Sequence, residues 1–182
     1  METGYDPRSV ANALLRVAQN KNIDVTHITL QKLLYFAHAH YLSCYKRPLL
    51  SGYFEAWRYG PVHPGVYGAF NAFGSGRITQ QAKHFDFVNK VERDVPSLDD
   101  AKALGVVQQI VDRFGNIPAS QLVELSHAPR GPWAYVVGQR EKKTIFGTRI
   151  DNATILERHK FHKVSLDSRL DQGEPSEDSP FE

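Results

Sequence analysis

The stretch Ile28-Thr-Leu-Gln-Lys-Leu-Leu-Tyr-Phe-Ala-His-Ala-His-Tyr-Leu42 decides the fold. Leu30, Leu33, Leu34, Ala37 and Tyr41, continued by Tyr45, recur at the i, i+3, i+4, i+7 period of an α-helix. Tyr35, Phe36 and Ala39 add apolar surface off that stripe. A helix apolar on more than one face belongs at the centre of its domain. Thr29 reads as its N-cap, and the core is expected to form around it.

Working outward, Asp6-Pro7 supplies an N-cap and a proline at the first helical position. The helix they start carries Val10, Leu14, Leu15, Val17 and Ala18 and ends at Asn20-Lys21-Asn22. Tyr53 to Tyr59 reads as a strand, with Phe54, Ala56 and Arg58 on one side and Tyr53, Glu55, Trp57 and Tyr59 on the other. Gly60-Pro61 is expected to end it. A helix over Pro64 to Phe73 follows, closed by Gly74-Ser75-Gly76. From Arg77 to Val95 a short strand and an ordered loop stay equally open around Phe85, Phe87 and Val91. Ser97 with Asp100 resembles a capping box for a helix reaching about Phe114 and burying Leu104, Val107, Ile110, Val111 and Phe114. Short helices are expected at Ser120–Ser126 and Pro132–Val137, and a last one after Asp151-Asn152. The fold class is α+β and predominantly α-helical: a compact single domain around a central long helix with a small β element. Residues 1–163 form that domain, and 164–182 form an acidic tail expected to be disordered.

The chain has 182 residues and a net charge of +2, which conceals an asymmetry. From Val164 onward six acids face the single base Arg169, leaving −5 on the tail and +7 on the body. A basic body raises acidic partners, nucleic acid included. The bases are scattered singly, however, and the densest cluster, Arg140, Lys142 and Lys143, is broken by Glu141, so ordinary solvated side chains account for them. One cysteine, Cys44, permits no intrachain disulfide and suits a reducing compartment. The N-terminus shows no signal-peptide pattern, and no apolar run approaches the roughly 18 residues of a membrane helix. A cytoplasmic location is expected.

No catalytic set assembles. His38 and His40 point about 200° apart on a helix and cannot share a metal; one is expected near the core and one exposed. His159 and His162 have i, i+3 spacing but no partnering ligand at a recognisable distance in sequence. His63 and His127 sit by turn prolines, as ordinary hydrogen-bonding residues do. Cys44, beside Tyr41 and Tyr45, reads as a buried, inert thiol. Phosphate-binding, nucleophile-elbow and metalloprotease motifs are missing. The second helix is too apolar to read a DNA groove. No enzyme activity, cofactor or metal is expected. What the sequence offers is aromatic side chains: Trp57, Tyr59, Tyr35, Tyr41, Tyr53, Tyr67 and Trp133. Such rings build protein-binding hot spots and ordinary cores alike.

The helix segment resembles the LQKLLYFA signature of the Panacea-domain, SocA-like antitoxins, a family that also includes phage-associated proteins. Phe54-Glu-Ala-Trp-Arg-Tyr-Gly-Pro-Val62 is similar to the family's EAWxxGPV element, and Leu125-Ser-His127 with Pro132-Trp133 to its LSH…PW element. The likeness spans residues 4–162. It implies a mainly helical fold with a small β element and an antitoxin that neutralises a cognate toxin by direct binding. The alternative it implies is an adaptor that delivers the toxin to a protease. It implies toxins as partners, small alarmone synthetases among them, and assigns no catalytic residue. Lys32 and Tyr35 on the long helix, with Arg58 and Tyr59 by the strand, are the expected partner contacts.

Overall fold

The computed structural model of the protein describes residues 4–86, 88–142 and 149–161. The long helix, α2 (His27–Tyr45), is central, and fifteen of its residues are buried, so no polar face is left along most of its length. Its N-cap is Thr26, not Thr29: the Thr26 hydroxyl accepts the Thr29 N–H at 3.3 Å. The two threonine hydroxyls lie 3.0 Å apart, which is why three-residue spacing could not separate cap from first turn. At the other end Lys46 adopts φ +57 and donates its N–H to Leu42 O at 2.9 Å.

α1 (Pro7–Asn20) begins as expected, with the Asp6 carboxylate accepting the Arg8 N–H at 2.8 Å. It packs Val10, Leu14 and Ala18 into the core beside α2. α4 (Ala101–Phe114) packs against both α1 and α2 and buries Val107, Ile110 and Val111. Asp100 is itself the cap of α4, accepting the Ala103 N–H at 2.7 Å, so Ser97 plays no capping part. Leu104 faces outward at 36% exposure and Val106 takes the buried position.

The β element is a three-stranded antiparallel sheet. β1 (Phe54–Trp57) lies between β2 (Gly60–Val62) and β5 (Arg149–Ile150). The expected single strand is therefore a hairpin: Gly60-Pro61 does not end the sheet but continues it, Trp57 opposing Gly60 across Arg58-Tyr59. Pro61 is tolerated because β2 is an edge strand. A second hairpin, β3 (Lys83–Asp86) with β4 (Val91–Asp94), resolves the open stretch in favour of a strand pair. Its side chains are mostly exposed.

Around these lie α3 (Pro64–Phe70), continued as a 3-10 turn to Phe73, and α5 (Ala119–Ser126). α6 (Pro132–Lys142) runs longer than expected, and α7 (Asn152–Arg158) ends in a 3-10 turn to Phe161. The architecture is α+β and mostly helical, around the central helix. No helix among the described residues is long and apolar enough to cross a membrane. The acidic tail and His162 lie outside the described residues.

Candidate functional site

Three buried polar side chains of α2 hold two chain segments, Pro61–His63 and the one around Leu50. The Gln31 side-chain oxygen accepts the His63 N–H at 2.9 Å. The Lys32 ammonium donates to Pro61 O at 3.2 Å. The His38 Nδ1 accepts the Leu50 N–H at 3.3 Å, so its proton sits on Nε2, 3.0 Å from the Asn152 side-chain oxygen. That tautomer is neutral, and burial holds His38 down at about 4. The partners made by Gln31 Oε1, Lys32 and His38 fix where these segments run, while Gln31 Nε2 is buried without a partner.

Lys32 marks the point where the three signature segments meet. Gly60 passes directly over it at φ +105; a Cβ there would lie 2.3 Å from the Ser126 hydroxyl and 3.1 Å from the Lys32 ammonium. Both backbone conformation and space therefore require glycine. Above, the Trp57 ring packs on Tyr67 with centroids 4.7 Å apart, and Tyr67 meets His27 edge-on at 4.8 Å. Trp133 donates its indole N–H to Trp57 O at 2.8 Å and stacks on His127 at 3.7 Å. Burial and then the nearby Lys32 charge hold His27 and His127 at about 4, so both rings are neutral at pH 7. The α5–α6 turn is thereby clamped onto the β1–β2 turn.

This placement divides the expected contact residues. Lys32 and Tyr35 have no accessible surface, so neither touches a partner on the folded domain. Their reading as contacts is corrected: α2 is covered on the very faces they occupy. Arg58 is exposed and Tyr59 half-buried on the β1–β2 turn, with the guanidinium 5.4 Å from the Tyr59 ring. Two further pairs of this kind occur on adjoining elements. Arg149 of β5 lies 4.6 Å from the Tyr53 ring, and Arg158 of α7 lies 3.8 Å from the Tyr135 ring of α6. Tyr53 and Tyr135 are 40% and 38% exposed, so this is accessible surface. Residues of this kind dominate protein-binding hot spots. Tyr135, Arg149 and Arg158 carry no motif, and only their pairing across the fold singles them out.

The other candidates do not assemble. Cys44 is exposed, not buried, because the last turn of α2 extends past the core; its thiol lies 3.8 Å from His40 Nε2. His38 is buried and His40 exposed, as the spacing demands. No group of three metal-ligating side chains occurs among the described residues.

Comparison with known proteins places the chain in a family. Residues 30–134 match the family described as "Antitoxin SocA-like, Panacea domain". The chain is 38% identical over 175 residues to "Antitoxin SocA" of Caulobacter vibrioides (strain NA1000 / CB15N), covering 96% of this chain and 93% of that protein. No solved structure matches. A family match over more than half of the chain, together with near end-to-end similarity, places this protein among the SocA-like antitoxins that carry a Panacea domain.

Proposed function

We propose that this protein is an antitoxin that neutralises a cognate protein toxin by direct, non-catalytic binding. The observation that carries the reading is the 38% identity to an antitoxin along nearly the whole of both chains. The three arginine–tyrosine pairs on β1–β2, β5, α6 and α7 supply the contact face. Arginine and tyrosine give large, stiff contact area with hydrogen-bonding tips, which is the chemistry of interface anchors.

The test is co-expression with the product of the neighbouring reading frame. Rescue of growth and co-purification are expected, both weakened by the double variant Arg58→Glu/Arg149→Glu at unchanged melting temperature. Failure of both rescue and co-purification with the parent chain removes the reading. Shortening of the toxin's half-life on co-expression in a protease-proficient strain identifies delivery to a protease in place of sequestration.

A further inference from the structure

Two kinds of surface arginine occur in this chain. Arg8, Arg47, Arg77 and Arg93 each lie against an aspartate, at 2.7 to 4.0 Å. Arg58 and Arg149 are exposed and lie over tyrosine rings instead, with no ion pair among the described residues. Arg149 has a carboxylate at hand, since the β1–β5 register places Glu55 opposite it. That carboxylate is engaged elsewhere: Glu55 Oε2 accepts the Trp57 indole N–H at 2.8 Å. Three residues of β1 and its turn separate Glu55 from Arg58, roughly 10 Å of strand.

A long exposed side chain loses rotamer freedom when a partner orders it. A ring beneath a guanidinium lowers that loss: it holds the group by its face and leaves the in-plane N–H donors, the fork that fits a carboxylate, at the edge. Arg58 and Arg149 are thus oriented to receive carboxylates that the described chain does not supply. We infer that the toxin's contact surface is acidic and presents two carboxylates, one bidentate to Arg58 and one to Arg149. This rests on the reading of the protein as a toxin-binding antitoxin. Single-stranded nucleic acid fits less well. It binds by stacking bases on open aromatic faces, and here Tyr53 and Tyr59 each have one face under a guanidinium. Lysine keeps the charge and loses the fork, so it separates carboxylate recognition from plain attraction.

The test uses the full chain and the product of the neighbouring reading frame. Arg58→Lys and Arg149→Lys should each raise the dissociation constant about tenfold, as expected for loss of a charge-assisted bidentate pair, at unchanged melting temperature. Arg93→Lys, at the arginine paired with Asp86 on the β3–β4 hairpin, is the control and should stay within about twofold of the parent. Asp and Glu residues of the toxin are then changed to Asn and Gln one at a time. One such change should weaken binding to the parent chain and have much less effect in Arg58→Lys, and a second should behave so in Arg149→Lys. Parent affinity in both lysine variants overturns the inference and leaves the toxin-binding reading standing. So does a loss that no toxin carboxylate shares. Failure of the parent chain both to bind the toxin and to rescue growth removes the two together. Displacement of the toxin by a single-stranded oligonucleotide, weakened by the same two substitutions, overturns the inference in favour of nucleic acid.

Discussion

The Lys32 cluster and the β3–β4 hairpin are built on opposite terms. In the first, Gly60, Trp57, His127 and Trp133 are held by close packing, ring stacking and hydrogen bonds to backbone, all against a helix without exposed polar face. In the second, every residue of β4 is exposed, and the strands are held by their own ladder and by surface pairs such as Lys83–Glu92 at 3.5 Å and Arg93–Asp86 at 3.1 Å. Surface pairs of this kind contribute about 0–1 kcal/mol each. The segments that resemble the family's signature, with Gly60, Trp57, His127 and Trp133, lie in the first region.

The sharpest way to break this contrast is Gly60→Ala. The positive φ and the overlap with Ser126 together should destabilise by about 2–5 kcal/mol, read as a fall in the urea midpoint; a shift no larger than that of a hairpin change would show that the cluster is not tightly constrained. Acidification is next. His38 titrates at about 4 when folded and near 6.5 when unfolded, so the unfolded chain takes up the proton first. Stability is therefore level above pH 7 and falls as pH drops from about 6.5 toward 4, by roughly 1.4 kcal/mol per unit for this one group. His27 and His127 act in the same direction. Chemical denaturation at pH 7 and pH 5 should show His38→Gln losing about 2 kcal/mol less than the parent over that interval; equal losses would place the acid sensitivity elsewhere.

Trp133→Phe keeps the ring on His127 and removes the hydrogen bond to Trp57 O. A loss of about 1 kcal/mol is expected by thermal melting. Smallest of all, Val88→Asp at the hairpin tip, where the side chain is 90% exposed, should change stability by no more than about 0.5 kcal/mol. A larger effect would mean that the hairpin supports the core.

What the sequence disclosed follows the same division. The central helix, its flanking helices and the fold class were legible because burial leaves a period in the residues. The N-cap of α2 was not, since Thr26 and Thr29 are both suitable and bond to each other. The exposure of Cys44 was hidden because helical spacing says which face a residue is on but not where the core stops. Gly60-Pro61 reads as a breaker, yet it is an edge strand shaped to pass over Lys32. At the candidate site, Arg58 and Tyr59 were named from the signature, whereas Tyr135, Arg149 and Arg158 came from folding distant segments together. Lys32 and Tyr35 misled because a charged or phenolic head on a helix suggests surface, and here the surface is covered.

The sheet also carries a message about time. Phe54 pairs with Ile150, His38 with Asn152, and Trp57 with Trp133. A chain made from its N-terminus thus completes α2 early and must wait for about a hundred more residues before the last cover arrives; contacts so far apart in sequence also close slowly. A ribosome that stops short of residue 150 would release α2 with apolar surface showing, a species suited to degradation and not to binding. Burial of α2 therefore waits on translation running past residue 150, however early the helix itself can form.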